Sequence, residues 1–241
     1  MSQPEEIQIL NKRLRLAQPA NGFRTALDSV MLAAACPAQE GQTILDLGCG
    51  VGGAGFCVLL RVPGTTLTGI EIQPDHVELA TQNIALNGFK NRAAFVCGDV
   101  RAYEDARADH VICNPPYLEA GRHLPSPHAA KATAHGHQDE ELSVKDWIDA
   151  AHRNLKSGGS LTIIHRADAL DKILQGLGKR FGAVETIPLW PRMGQPAKRV
   201  IIRAVKDRKT PSLLHAGLTL HQENGDYTPQ ADAVLRDMKP L

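Results

Sequence analysis

From Thr43 onward the chain alternates between short apolar runs and amphipathic stretches. Thr43–Leu47, Thr66–Glu71, Ala94–Cys97, His110–Cys113 and Leu161–Ile164 have the length and composition of buried strands. Between them the apolar positions fall at helical spacing. Such stretches cover Phe56–Leu60, then a longer segment opened by Pro74 and closed by Asn87-Gly88. Two more follow, Ser143–Leu155 with Val144, Trp147, Ile148 and Ala151, and Leu170–Leu177. Runs near Val184–Leu189 and Arg199–Val205, joined through Pro191-Arg192-Met193-Gly194, read as an antiparallel hairpin closing the sheet. The alternation predicts an α/β fold, a doubly wound and mostly parallel sheet of seven strands with helices on both faces.

The two ends depart from this rhythm. Residues 7–20 alternate loosely and predict a hairpin turning at Pro19-Ala20-Asn21-Gly22. Asp28 or Ser29 is placed to cap a helix through Val30–Ala34 that Pro37 stops. Residues 1–40 are therefore expected to cover the ligand face of a body spanning 41–241, all as one structural domain. The tail predicts a short strand at Leu218–Leu220 and a helix from Thr228 or Pro229 through Leu235. Residues 118–142 interrupt the body with glycine, proline and histidine, the composition of a lid or binding loop.

Composition narrows the classes. A chain of 241 residues with formal net charge +1 has room for a large core and no global basic field, so a nucleic-acid partner requires a local patch. Residues 198–209 hold such a concentration in Lys198, Arg199, Arg203, Lys206, Arg208 and Lys209, to which Arg192, Arg166 and Lys172 add. An equally simple reading turns alternate strand positions to water. The five cysteines show no ligand spacing and read as reduced, buried thiols of a cytoplasmic protein. Met1–Glu6 lacks the features of a secretion signal, and no apolar run reaches membrane-spanning length. His123, His128, His135 and His137 lie in the loop without a shared helical spacing, so no metal site is expected.

The candidate chemistry sits at strand ends. Asp46-Leu47-Gly48-Cys49-Gly50-Val51-Gly52 leaves the first strand as a glycine loop, where the backbone can approach a ligand closely. Residues 50–55 also match the dinucleotide pattern G-x-G-x-x-G. Asp46 disfavours that reading, because a carboxylate there repels a pyrophosphate and suits an ammonium. Glu71 ends the second strand, where a ribose diol would be gripped, and Asp99 follows the third, within reach of an adenine amino group. Asn114-Pro115-Pro116-Tyr117 follows the fourth. Two prolines stiffen that turn, and an amide oxygen, a carbonyl and an aromatic ring together can hold a flat amino group.

This set of residues resembles the cofactor and acceptor sites of class I S-adenosylmethionine-dependent methyltransferases acting on planar nitrogens. The resemblance spans roughly residues 42–165 and implies the sheet order 3-2-1-4-5-7-6 with the seventh strand antiparallel. Shorter stretches are similar to bacterial tRNA1(Val) adenine-37 N6-methyltransferases. These include Glu71-Ile72-Gln73-Pro74, His165-Arg166-Ala167-Asp168, Trp190-Pro191-Arg192, Lys198-Arg199-Val200 and Gly225-Asp226-Tyr227-Thr228. The resemblance implies that Asp46, Gly48 and Gly50 line the methionine part of S-adenosylmethionine. Glu71 and Ile72 would take the ribose and flank the adenine, and Asp99 and Val100 would complete that pocket. Asn114 through Tyr117 would face an adenine N6 in a single-stranded loop of tRNA, with Arg192, Lys198 and Arg199 as candidate RNA contacts. Arg24 and Asp28 would close over the cofactor's carboxylate end. Two other acceptors stay open, a protein glutamine amide and a DNA adenine. From another class, so does a non-catalytic RNA-binding module on the same fold.

Overall fold

The computed structural model describes residues 4–20, 27–104, 107–117 and 142–241. Seven strands build the body: β3 (Thr43–Leu47), β4 (Thr66–Glu71), β5 (Ala93–Cys97), β6 (Ala108–Cys113), β7 (Leu155–Arg166), β8 (Phe181–Trp190) and β9 (Arg199–Lys206). The longer sheet order is β10-β8-β9-β7-β6-β3-β4-β5, where β10 is Leu213–Leu214. Counting β3 through β9 as one to seven gives 3-2-1-4-5-7-6, the order the resemblance implied. β9 runs antiparallel to both β7 and β8, whereas β3 through β7 pair in parallel.

Helices cover both faces. Against one lie α1 (Leu27–Ala35), α2 (Gly53–Arg61) and α6 (Pro229–Asp237), sharing a core with Phe56, Leu59, Ile112 and Ile201; α3 (Pro74–Leu86) packs at the β5 end of that side. Against the other lie α4 (Val144–Asn154) and α5 (Leu170–Leu177), over Leu45, Val111, Ile163 and Ile202. The central strands β3 and β6 are buried on both faces, so their sequences read as continuous apolar runs, whereas β5 at the sheet edge is largely exposed. β7 begins earlier than its apolar run because Gly159 lets the Asp109 carbonyl approach. A Cβ there would stand 2.8 Å from that oxygen.

The front segment differs from expectation in its turn. β1 (Glu5–Ile9) and β2 (Leu14–Gln18) pair antiparallel, and the chain reverses through Leu10, Asn11 and Lys12 at φ 53°, 53° and 65°. None of these is glycine, so the left-handed run carries no glycine or proline signal. Pro19 and Ala20 follow β2, and the rest of the expected turn lies outside the described residues. Two asparagines, Asn83 in α3 and Asn87 just past its C-terminus, hold the hairpin. Asn83 Oδ1 accepts from Ala17 N at 2.7 Å and its Nδ2 donates to Ala17 O at 3.0 Å; Asn87 treats Arg15 the same way, at 3.0 and 2.7 Å. Asn83 Nδ2 also donates to Val51 O at 3.1 Å, tying the hairpin to the glycine loop. α1 starts before Asp28, so Asp28 and Ser29 stand in its first turn rather than at its cap.

At the tail, β11 (Leu218–Thr219) pairs in parallel with β8, as does β10, which is too short to be read from a pattern. No helix among the described residues is long and apolar enough to cross a membrane.

Ser143 caps α4 in a reciprocal box with Asp146: the Asp146 N–H reaches Ser143 Oγ, and the Ser143 N–H reaches Asp146 Oδ2 at 2.8 Å. Removing the hydroxyl by Ser143→Ala is expected to cost about 1 kcal/mol. That lowers Tm by roughly 2–4 °C in scanning calorimetry. An unchanged Tm would show that the box adds nothing to the helix.

Candidate active site at the carboxyl edge of the sheet

β3, β4, β5 and β6 all end at one edge of the sheet, and residues at and after their ends line a cavity of about 510 Å³. Asp46, Gly48, Gly50, Glu71, Ile72, Asp99, Val100 and all of Asn114 through Tyr117 meet there. The volume falls in the range of small-molecule sites. Four strand ends separated widely in sequence thus supply one pocket, as an open α/β sheet dictates.

The glycine loop is held from below by carboxylates. Gly48 and Cys49 donate to Ile70 O at 2.8 and 3.0 Å, which folds the loop back over β4. Glu71 Oε2 accepts from Gly50 N at 3.0 Å and Oε1 from Gln73 N at 2.9 Å. Asp46 Oδ2 accepts from Gly55 N at 3.1 Å, at the start of α2, where unsatisfied N–H groups favour an anion. Asp46 is only 2 % exposed, and burial pushes its carboxyl up to about 7. Asp99 has a different setting. The Arg101 guanidinium, 2.6 Å away, holds its carboxyl below the usual range.

Two glycines are required by geometry. Gly48 holds φ 66°, and a Cβ on it would stand 2.6 Å from the Trp147 ring. Gly50 holds φ 54° with open space where a Cβ would stand. That opening, three carboxylates and the exposed side of Ile72 (61 %) make a cradle with a polar floor and an apolar lip. S-adenosylmethionine fits this donor and acceptor set: an ammonium for Asp46, a diol for Glu71, a flat ring against Ile72 and Val100. The G-x-G-x-x-G pattern takes another role. Gly55 lies inside α2, packed against Leu67, and does not line the cavity.

At the acceptor end, the Tyr117 hydroxyl lies 2.7 Å from Asp28 Oδ2 and 2.9 Å from Asn114 Oδ1. Burial and the Asp28 charge push that hydroxyl's pKa up. Arg199 Nε donates to the same Asp28 oxygen at 3.0 Å, and its guanidinium carbon lies 4.7 Å over the Tyr117 ring. His165 meets the ring edge-on at 5.0 Å.

Of the remaining candidates, Arg192 and Lys198 are exposed on the turn between β8 and β9, at the cavity's edge of the sheet. The cations of residues 198–209 do not form one patch. β9 carries Lys206, Arg208 and Lys209 to the opposite edge, about 23 Å away at strand rise. Arg203 pairs with Glu185, and Lys206 donates to the carbonyls of His152 and Leu155 at 2.7 and 2.9 Å. Arg24 and the four loop histidines lie outside the described residues. Among those described, no group of His, Cys, Asp and Glu stands close enough to hold a metal ion. All five cysteines are free; Cys97 is exposed, and burial pushes the other four thiols up.

Sequence reasoning missed Ser29, His76 and Trp147 as wall residues. Trp147 read as the apolar face of α4, and nothing in its spacing marked the Gly48 contact. His76 could have been found, since it follows the Glu71 turn in the first turn of α3.

Comparison with known proteins agrees with this geometry. A protein from Shewanella sp. (strain MR-4), named tRNA1(Val) (adenine(37)-N6)-methyltransferase, is 26% identical over 222 residues, covering 90% of this chain and 92% of its own. A solved structure from Agrobacterium tumefaciens, described as a predicted O-methyltransferase, is 27% identical with TM-score 0.72, covering 88% of this chain and 97% of its own. TrmN from Thermus thermophilus shares the fold at TM-score 0.54 and 16% identity, covering 78% of this chain and 50% of its own. The family model for the methyltransferase small domain matches residues 24–189, from the front segment through β8. The chain belongs to the methyltransferase small domain family.

Proposed function

We propose that this protein transfers a methyl group from S-adenosylmethionine to the exocyclic N6 of an adenine in tRNA. The observation that carries the reading is Asn114-Pro115-Pro116-Tyr117 closing one end of the cavity whose other walls suit the cofactor. The names of relatives that match 90% of the chain support the same acceptor. A tRNA substrate implies a cytoplasmic protein.

When bound, the cofactor supplies a methyl carbon on a sulfonium, whose departure needs no acid. The chain's own task is the acceptor, because an adenine N6 lone pair is delocalised into the ring and attacks poorly. Asn114 Oδ1 and the Pro115 carbonyl take the two N6 hydrogens, drawing the nitrogen toward tetrahedral geometry and steadying the developing positive charge. The nitrogen gains the methyl as the sulfonium bond breaks to a neutral thioether, and one N6 proton, now acidic, passes to water. Two prolines keep these acceptors from drifting. Tyr117 orients the base, so the attack line is set before reaction. A hydroxyl acceptor brings only one hydrogen and would leave one of the two acceptors unmatched, which favours an amine over an oxygen nucleophile. A protein glutamine amide satisfies both acceptors as well as adenine does, and it is the reading to be excluded by experiment. The target base must stand outside a stack to reach the cavity, as in a single-stranded loop. Arg192 and Lys198, exposed on the β8–β9 turn at the same edge of the sheet, are candidates for phosphate contact.

Incubation with radiolabelled S-adenosylmethionine and, separately, tRNA, a peptide-release factor and duplex DNA tests the acceptor. Label on tRNA, recovered as N6-methyladenosine, is the expected result; label on protein or DNA overturns the substrate. In the same assay Asn114→Ala is expected to raise the barrier by about 3 kcal/mol, a rate loss of about a hundredfold or more. Cofactor affinity, read by calorimetry, should change far less. Turnover near that of the wild type would remove Asn114 from the mechanism.

Asp46 sets a pH dependence. Burial pushes its carboxyl up to about 7, and only the ionised form attracts an ammonium. Cofactor binding therefore lowers that pKa and releases a proton at mildly acid pH. Affinity for S-adenosylmethionine is expected to rise by up to about tenfold per pH unit until Asp46 is ionised, then to level off. Titration calorimetry in buffers of different ionisation enthalpy detects the released proton. Asp46→Asn should weaken binding and flatten the profile. A flat wild-type profile across the acid range would exclude Asp46 as the ammonium's partner.

A further inference from the structure

Arg199 was a candidate RNA contact on the strength of its charge and neighbours. Its surroundings assign it differently. The first residue of β9, the first turn of α1 and the turn after β6 converge on one carboxylate oxygen: Asp28 Oδ2 accepts from Arg199 Nε at 3.0 Å and from the Tyr117 hydroxyl at 2.7 Å. The Arg199 and Asp28 side chains are only 32% and 16% exposed. Tyr117 lines the cavity and Arg199 does not, so the guanidinium backs the ring from outside the cavity, 4.7 Å over its face. We propose that Arg199 and Asp28 form a clamp that positions Tyr117 and, through its hydroxyl, turns the Asn114 amide toward the acceptor. The clamp rests on the acceptor chemistry proposed above and makes Arg199 a positioning residue rather than a phosphate contact.

The hydroxyl decides the amide's orientation. Tyr117 has one hydroxyl hydrogen and two oxygens within reach, Asp28 Oδ2 at 2.7 Å and Asn114 Oδ1 at 2.9 Å. Asp28 is charged and already held by Arg199, so it takes that hydrogen. Asn114 can then satisfy the hydroxyl oxygen only by presenting Nδ2, after a half-turn of its amide. That half-turn frees Oδ1 to receive an N–H from the incoming amino group. Without Asp28 the hydroxyl donates to Oδ1 and competes with the acceptor for the same oxygen. Arg199 keeps Asp28 aligned and closes the far face of the ring, leaving a single face for a base.

The clamp and a phosphate contact make opposite predictions for Arg199→Ala and Arg199→Lys. A clamp predicts that Arg199→Ala lowers kcat about tenfold or more, with tRNA affinity and its salt slope unchanged. Lysine should not rescue, because an ammonium has neither the planar face nor the Nε fork. Asp28→Ala should show the same loss, and the double variant should lose no more than either single one. S-adenosylmethionine affinity, unchanged in all of them, verifies folding. A phosphate contact predicts instead an unchanged kcat, a salt slope reduced by about one, and rescue by lysine, and that result overturns the clamp. If wild-type protein labels another amine acceptor, the substrate reading fails, and the same kcat ratios on that acceptor still test the clamp. A readout independent of any acceptor is ultraviolet titration of the three tyrosines. One of them should ionise at lower pH in Asp28→Ala than in wild type, and superimposable curves would overturn the clamp.

Discussion

Asp46 and Glu71 are carboxylates drawn almost wholly out of water. Asp46 is held by the Gly55 N–H of the helix that follows its own strand, and Glu71 by the Gly50 N–H of the loop after the neighbouring strand and by the Gln73 N–H. A buried charge without such partners would be costly, so the glycine loop and the start of α2 can sit only where their amides reach these oxygens. Gly48 and Gly50 take left-handed conformations along that path, which glycine adopts without steric cost. The cavity is the space left beside the loop once both carboxylates are satisfied. Each carboxylate has acceptor sites beyond those its backbone partners use.

The hairpin extends the same logic outward. Asn83 is fully buried and bonds both to Ala17 and to the Val51 carbonyl within the glycine loop. A single amide on α3 therefore joins the front segment to the cofactor wall. α1 brings Ser29 into the cavity and Asp28 to Tyr117. Both contacts come from the segment that precedes β3.

What could be read from the chain alone was what periodicity and strand ends encode. Thr43–Leu47 and Thr66–Glu71 are buried parallel strands whose ends match their apolar runs, and Leu170–Leu177 is a helix over its expected span. Asp46, Glu71, Asp99 and Asn114 were legible because a strand terminus in an open sheet has only one edge to face. Relations across the sheet carried no local signal. The Asp28–Tyr117–Arg199 junction joins positions 89 and 171 residues apart, and no spacing rule reaches that far. The hairpin turn at Leu10–Lys12 was misread because its left-handed residues are not glycine. The six cations of residues 198–209 looked like a patch because sequence proximity hides the length of a strand. β9 carries them to opposite edges, and Arg203 and Lys206 bind groups within the protein.

That dispersal bears on specificity. The net charge is +1, and the cations of residues 198–209 are split between two edges and form no single surface for a polyanion. On the β8–β9 turn, at the cavity's edge of the sheet, Arg192 and Lys198 are exposed. Under the acceptor chemistry proposed above, selection would fall on the pocket: a planar ring against Tyr117 and an amino group with two hydrogens for two fixed oxygens. A substrate that cannot lift its base from a stack never presents that geometry. Discrimination by fit at a rigid turn needs the turn to be held from behind, and among the described residues the groups on Tyr117 are Asp28, Asn114, His165 and Arg199.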